Sequence, residues 1–191
     1  MEEVHDAILN INLNKSSIGI PQRCLKLAVN HISEPLALIF TDSLVKGVVP
    51  DVLKVSKVTP VDKGGEPTDP SNFRPISTLS ALTQVFEKLV YRQLINYIEK
   101  YDILFQFQFG FRKWHSTAQA VTELADSLRK AVDNNLYTCG IFIDFSKAFD
   151  TVNHQILLKK LEAYGIRGIP LEWFTSYLEN RQQYVAIDKD K

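Results

Sequence analysis

The residues best suited to chemistry are carboxylates at the end of an apolar run. Residues 137–145 are almost entirely apolar, and Asp144 lies near their end. Such a run predicts a strand buried on both faces, where a carboxylate costs free energy unless it is paired or binds a cation. Mg²⁺ prefers oxygen ligands of this kind. The residues alone leave two interpretations of Asp144 open, a metal ligand or a cap of the following turn.

Two neighbours of Asp144 are equally ambiguous. Asp150 precedes a predicted helix, so it suits an N-cap. Phe149 has the residue type of an ordinary core aromatic. Neither residue identifies a site by itself.

A second candidate is a predicted β-hairpin that carries cations. Residues 52–61 predict a strand, residues 62–67 a glycine-containing turn, and residues 72–77 a short returning strand. Lys57, Lys63 and Arg74 lie in these segments, and arginine can grip a triphosphate through paired hydrogen bonds. A solvated charged loop is the simpler interpretation of any single lysine.

A third candidate interleaves aromatic and basic residues at residues 108–117. Ser116 or Thr117 is predicted to cap a helix that carries apolar residues at helical spacing. Backbone amides at that helix start, with Arg112 or Lys113, could hold nucleic-acid phosphates. A packed aromatic loop with two surface cations explains the same residues.

The elements that must position these candidates are mixed helices and strands. Apolar periodicity predicts a helix that starts at residues 33–35 and stops at Gly47, and a long helix over residues 79–94. Two helices are predicted between residue 156 and residue 178, with a final strand at residues 184–187. The first fifteen or so residues are polar and weakly patterned, which predicts a loose end.

Bulk composition bounds the class of protein. The chain has 191 residues, 45% hydrophobic and 23% charged, and its formal net charge is zero. These values are ordinary for a globular protein, and the charge gives no sign of nucleic-acid binding. Cys24 and Cys139 are too far apart in sequence for a zinc motif. No signal peptide or membrane-spanning run is present, so we expect an intracellular protein, cytoplasmic or nuclear.

Taken in order, the candidate segments resemble the reverse transcriptase domain of non-LTR, jockey-like retrotransposons. The matching stretches are NFRPIS (72–77), FEK (86–88), QFGFR (108–112) with ST (116–117), DFSKAFDTVNH (144–154), and WF (173–174) with SYL (176–178) and Arg181. The resemblance implies an α+β right-hand polymerase, with fingers, a β-hairpin and a partial antiparallel palm sheet. Residues 1–17 would be a loose N-terminal segment, 18–136 the fingers, and 137–191 a partial palm truncated before the second catalytic aspartates.

The family is an RNA-directed DNA polymerase, which implies an RNA template, a DNA primer, deoxynucleoside triphosphates and two Mg²⁺ ions. By motif match, Asp144 is the first catalytic carboxylate and a metal ligand, joined by the main-chain carbonyl of Phe145. Phe149 would lie under the incoming sugar and exclude a 2′ hydroxyl. The remaining assignments are Lys63 and Arg74 to the triphosphate, and Gln108, Gly110, Arg112 and Thr117 to nucleic acid.

The sequence departs from the family pattern at two places. Asp62 stands where relatives more often have an aromatic or basic residue. The family's paired aspartates occur nowhere in the chain, and Asp188 with Asp190 lie in a charged tail without the required apolar strand. We therefore expect the chain to be inactive alone. The alternatives are a non-catalytic remnant that binds nucleic acid or a partner, and an unstable product of a degenerate reading frame.

Overall fold

The computed structural model describes residues 1–66 and 68–186. The chain divides into two compact units. The first comprises Met1–Leu94 and the chain from Asn153 onward, and the second is Ile95–Val152. In chain order the helices are α1 (Glu2–Leu9), α2 (Gln22–Leu27), α3 (Val29–Lys46), α4 (Ala81–Lys100), α5 (Thr117–Asp133), α6 (His154–Ala163) and α7 (Ile169–Leu178).

The start of the chain differs from the loose segment expected at residues 1–17, because its first residues form the packed helix α1. Helix α1 buries Val4, Ala7 and Ile8, and Ile11 follows them into the core of the first unit. These four residues follow the i, i+3, i+4, i+7 pattern of one helix face. The polar residues between them, and the low apolar weight of alanine, conceal that period in the sequence.

Helix α3 begins earlier than the sequence predicted. It starts at Val29, and Pro35 lies inside it rather than at its first turn. The hydroxyl of Ser33 donates a 2.6 Å hydrogen bond to the carbonyl of Val29, so it supports the helix interior and not its start. The predicted end is confirmed, because Gly47 closes the helix in the left-handed conformation with φ 65°.

The predicted hairpin is confirmed, and it is part of a three-stranded sheet. Strand β1 (Val55–Asp62) pairs antiparallel with β2 (Phe73–Thr78), with Val61 opposite Arg74. Strand β3 (Gln182–Val185) pairs parallel with β1, so the sheet order is β2-β1-β3. The predicted final strand therefore begins two residues earlier than expected, and Ile187 and Pro67 lie outside the described residues.

Residues 137–145 do not form the buried strand that the sequence predicted. They have no regular secondary structure, and every one of them is exposed, including Ile141 and Phe142. A strand requires a partner for its backbone groups, and no described strand pairs with this segment. The apolar composition of a segment does not determine whether a partner strand lies beside it. The α+β class is nevertheless confirmed by the helices and the mixed sheet.

The core of the first unit is built from α1, α2, α3, α4 and α7. Phe40 of α3 stacks on Phe86 of α4 with ring centroids 4.3 Å apart, and Phe86 meets the edge of Trp173 of α7. The indole of Trp173 donates a 3.1 Å hydrogen bond to Ser43 Oγ, which in turn donates to the carbonyl of Val48. This aromatic cluster packs α3 and α4 onto α7.

The second unit lacks such a core. None of residues 95–152, all of which the structure describes, is buried. The apolar residues of α5 predicted to face a core, Val121, Leu124, Leu128 and Val132, are exposed. In neither unit is a described helix both long and apolar enough to cross a membrane.

Candidate functional site

The tip of the hairpin holds the first predicted pair, Lys63 and Arg74. Lys63 continues β1, and its backbone N–H donates a 2.8 Å hydrogen bond to the carbonyl of Asn72. Its ammonium donates to the carbonyl of Ser71, also at 2.8 Å. Arg74 is exposed on β2, and no described residue forms an ion pair with it. The hairpin thus presents Arg74 to solvent and holds Lys63 against the returning chain.

The remaining cation of the hairpin, Lys57, lies away from the tip. It sits in the body of β1, opposite Thr78 on one side and Tyr184 on the other. The central position of β1 in the sheet makes Lys57 half-buried. It is therefore a residue of the sheet rather than of the tip.

Side chains of the turn fix its shape. The carboxylate of Asp62 accepts a 2.7 Å hydrogen bond from the backbone N–H of Gly64. The carboxylate of Asp69 accepts from both the backbone N–H and the hydroxyl of Ser71, and these bonds hold the pKa of Asp69 below its usual value. Asp62, the acidic residue that departs from the family pattern, therefore has a local role in the turn. The sequence Asp69-Pro70-Ser71 is typical of such a turn and could have predicted it.

The aromatic and basic segment before α5 is a loop with two non-glycine residues in the left-handed region. Phe111 and Trp114 have φ 60° and 64°, and both side chains are exposed. A guanidinium nitrogen of Arg112 donates a 3.2 Å hydrogen bond to the carbonyl of Phe105, and Gln108 Nε2 donates to the carbonyl of Gly110. These two bonds brace the loop from within.

The helix cap that follows the loop is confirmed, with Ser116 as the capping residue. Ser116 Oγ accepts from the backbone N–H of Gln119, whose side chain accepts from the backbone N–H of Ser116. Thr117 is then the first residue of α5 and is exposed. Reciprocal bonds of this kind satisfy two amides at the helix start.

Asp144, Phe145 and Phe149 all lie exposed in the second unit. Asp144 is therefore not the buried strand-end carboxylate that the sequence predicted. The ring of Phe149 meets the ring of Phe111 edge-on, with centroids 6.1 Å apart. This contact brings together two of the segments on which the resemblance rests. The hairpin cations Lys57, Lys63 and Arg74 belong to the first unit, and the candidate residues from Gln108 to Asp150 belong to the second.

The donor set for a metal is incomplete in the described part of the chain. The carboxylate of Asp144 and the carbonyl of Phe145 are oxygen donors of the class that Mg²⁺ takes. No group of three or more His, Cys, Asp or Glu side chains converges among the described residues. Asp188 and Asp190 lie outside them. Because two bridging ions need several carboxylates, the described residues do not form a two-metal site.

Sequence reasoning missed the contacts that join the quoted motifs within the first unit. Phe86 and Trp173 were identified in separate segments, yet their rings pack edge to face at 5.5 Å. The hydroxyl of Ser176 accepts a 3.0 Å hydrogen bond from the backbone N–H of Val49. The resemblance identified Phe86, Trp173 and Ser176 as motif residues, but it could not name their partners.

Comparison with known proteins identifies the family. The model of the family "Reverse transcriptase (RNA-dependent DNA polymerase)" matches residues 61–190. The chain is 34% identical over 197 residues to the probable RNA-directed DNA polymerase from transposon BS of Drosophila melanogaster, covering 98% of the chain and 21% of the relative.

Two further relatives are similar. The RNA-directed DNA polymerase from mobile element jockey of the same species is 31% identical, again over 98% of the chain and 21% of the relative. The Pol polyprotein from the type-1 retrotransposable element R2 of Popillia japonica is 28% identical over 75% of the chain and 20% of the relative. The chain thus spans about a fifth of the length of the curated relatives it matches. On these matches, the chain belongs to the reverse transcriptase (RNA-dependent DNA polymerase) family, among those of non-LTR retrotransposons.

Proposed function

We propose that this chain is the nucleotide- and template-holding part of an RNA-directed DNA polymerase, and that it does not polymerise DNA by itself. The observation that carries the proposal is the family match over residues 61–190, which include every residue assigned to a site. In this proposal residues 18–136 belong to the fingers and residues 137–191 to the palm. The longer enzyme acts on an RNA template, a DNA primer and deoxynucleoside triphosphates.

The incoming triphosphate binds at the hairpin tip. Arg74 supplies a planar guanidinium that can contact two phosphate oxygens at once, and its exposure on β2 leaves it accessible. Lys63 adds positive charge beside it, after its ammonium exchanges the Ser71 carbonyl for a phosphate oxygen. Because Lys63 must first release the Ser71 carbonyl whereas Arg74 is already exposed, Arg74 is the stronger ligand.

The template strand lies along the loop before α5. Gln108 and Gly110 supply backbone and amide groups, and Arg112 keeps further N–H donors beyond the one bound to Phe105. Thr117 stands at the N-terminus of the 17-residue helix α5, where the helix dipole favours a phosphate. These groups contact the backbone, so they position a strand without reading its sequence.

Asp144 and the carbonyl of Phe145 are oxygen donors for Mg²⁺ in the longer enzyme. Bound Mg²⁺ ions there would activate the primer hydroxyl and stabilise the departing pyrophosphate. The described donors do not complete such a site, and for that reason we propose that the chain alone is inactive.

The bulk of Phe149 excludes a 2′ hydroxyl at the incoming sugar.

A non-catalytic role in binding nucleic acid or a protein partner is the second candidate. The incomplete donor set favours it, because binding needs none of the missing carboxylates. Under this candidate the loop around Arg112 still contacts phosphates, while Asp144 has no role.

A nucleotide titration tests the proposal. Isotope-labelled chain is titrated with dATP and Mg²⁺ while backbone amide resonances are followed by NMR. We expect shifts centred on residues 62–74 that disappear in Arg74→Ala and persist in Arg23→Ala, an exposed arginine on α2. Shifts that are absent, or equally reduced in both variants, would contradict the assignment.

A further inference from the structure

A basic cleft lies in the first unit, and none of the residues assigned above lines it. It has a volume of about 480 Å³ and runs between the segment after α1 and the exposed side of α4. Three cations, Lys15, Lys88 and Arg92, line it, together with Gln84, Glu87 and Tyr91. The lining thus carries three positive charges and one negative charge.

The positive charge of the cleft is poorly neutralised. The ammonium of Lys88 donates a 2.8 Å hydrogen bond to the carbonyl of Asn10, and no described residue pairs with Lys15, Lys26, Lys88 or Arg92 in an ion pair. Partial burial lowers the pKa of Lys88, and Arg92, Lys15 and Lys26 lower it further. Three cations therefore repel Lys88 here, and a bound anion would relieve that repulsion.

The single carboxylate in the cleft is already engaged. Glu87 Oε1 accepts a 2.5 Å hydrogen bond from the hydroxyl of Tyr177, which lies in α7. That bond orients the Glu87 carboxylate toward α7, and the three cations of the cleft still outnumber its single negative charge. The cleft therefore remains net positive along the side formed by Lys15, Lys88 and Arg92.

A second cleft, of about 340 Å³, continues the first. It shares Lys15, Gln84 and Glu87 with it and reaches the end of β2 at Ser77 and Thr78. The two form one elongated groove, cationic at the α4 end and lined at the sheet end by the hydroxyl residues Ser16, Ser77 and Thr78 together with Ile76 and Leu79. An elongated groove suits a polymer better than a single small anion.

We propose that this groove binds the phosphodiester backbone of a single nucleic acid strand. Lys15, Lys88 and Arg92 contact phosphates, and the exposed ring of Tyr91 stacks on a base. The proposal rests on the proposed function only for the chemical identity of the polymer, because the groove uses none of the residues assigned to nucleotide or template.

The experiment measures binding of a fluorescein-labelled oligouridylate to the full chain across a potassium chloride series. In Lys15→Gln/Lys88→Gln/Arg92→Gln we expect the slope of log affinity against log salt to fall by about 2, since each phosphate contact with a single strand contributes about 0.7. Tyr91→Ala should lower the affinity by about tenfold at constant slope.

The matched control is Lys159→Gln/Lys160→Gln/Arg167→Gln, which removes the same charge from exposed positions in and after α6. It should leave the slope near that of the unaltered chain. Lys88 is partly buried, so a second variant, Lys15→Gln/Arg92→Gln, leaves Lys88 and its hydrogen bond to Asn10 in place. This variant should still reduce the slope by about 1.4.

Equal slopes for the groove and control variants would overturn the proposal, as would an unaltered chain that binds no RNA or that binds polyglutamate equally well. Failure of the groove is distinguishable from failure of the proposed function. If Arg112→Ala weakens RNA binding and the groove variants do not, only the groove assignment falls. If the groove variants reduce the slope while dATP gives no shifts at the hairpin, the groove stands without the nucleotide site.

Discussion

The hydroxyl of Tyr177 donates a 2.5 Å hydrogen bond to the carboxylate of Glu87, ninety residues earlier in the chain. This bond ties α7 to α4, and the guanidinium of Arg181 lies over the Tyr177 ring at 4.6 Å. Burial of Tyr177, together with the charge of Glu87, raises the pKa of its hydroxyl well above the usual value. Two segments that match the family separately are thus one structural unit.

Tyr177→Phe should lower the free energy of unfolding by about 1–2 kcal/mol. The substitution removes the donor to a charged acceptor, for which a hydrogen bond is worth about 1.5–3 kcal/mol when buried and less when partly exposed. Urea unfolding followed by circular dichroism measures the change. Tyr137→Phe, at a fully exposed position, should leave the free energy unchanged, and equal losses in both variants would refute the role of the bond.

The same bond predicts a loss of stability at alkaline pH. The folded chain keeps Tyr177 protonated, whereas the unfolded chain ionises it near the usual tyrosine pKa of about 10. The stabilisation is therefore complete below about pH 10 and declines as the pH rises above it. The difference in unfolding free energy between the unaltered chain and Tyr177→Phe should stay constant up to about pH 9 and narrow as the pH rises from about 10 to 11. A constant difference would contradict the raised pKa.

Trp173→Ala should cost about 3–5 kcal/mol of unfolding free energy, because it empties the centre of the aromatic cluster. Trp173 is 3% exposed and packs on Phe86, Phe174 and Tyr177. The other tryptophan, Trp114, is 83% exposed, so Trp114→Ala should change the value by less than about 0.5 kcal/mol. Comparable losses measured by urea unfolding would show that the cluster is not the core.

Gly47→Ala should cost about 2–4 kcal/mol, combining left-handed strain with overpacking. A Cβ there would lie 3.1 Å from Glu172 Cβ and 3.1 Å from the carbonyl oxygen of Ile169. Gly19 also has a positive φ, of 72°, but its added Cβ would meet nothing within 4 Å. Gly19→Ala should therefore cost only about 1–2 kcal/mol when both variants are unfolded with urea. A larger loss for Gly19→Ala than for Gly47→Ala would contradict this explanation.

Features set by near neighbours in the chain were predictable from the sequence. The hairpin, the end of α3 at Gly47 and the Ser116 cap each depend on a few adjacent residues and their backbone preferences. The early start of α3 and the burial of α1 were missed because distant packing decides them. The clearest failure is the segment before Asp144, whose apolar residues met the pattern of a buried strand but have no described strand beside them.

The candidate site was likewise predictable in part, in the types of its residues but not in their surroundings. The residue types of Arg74, Arg112 and Asp144 pointed to phosphate and metal chemistry before any geometry was available. Their environments were not predictable, since the exposure of Asp144 and the tie between Arg112 and Phe105 depend on how the loops fold. The basic groove was missed because Lys15 and Lys88 are far apart in sequence and the net charge is zero.

The most direct test of the central claim is primer extension with the purified 191-residue chain, Mg²⁺, an RNA template, a DNA primer and all four deoxynucleoside triphosphates. We predict no template-dependent incorporation, and the same result for Asp144→Asn, because the described donors do not form a two-metal site. Template-dependent synthesis by the unaltered chain that is lost in Asp144→Asn would contradict the account, since it would mean that these 191 residues contain a complete catalytic centre.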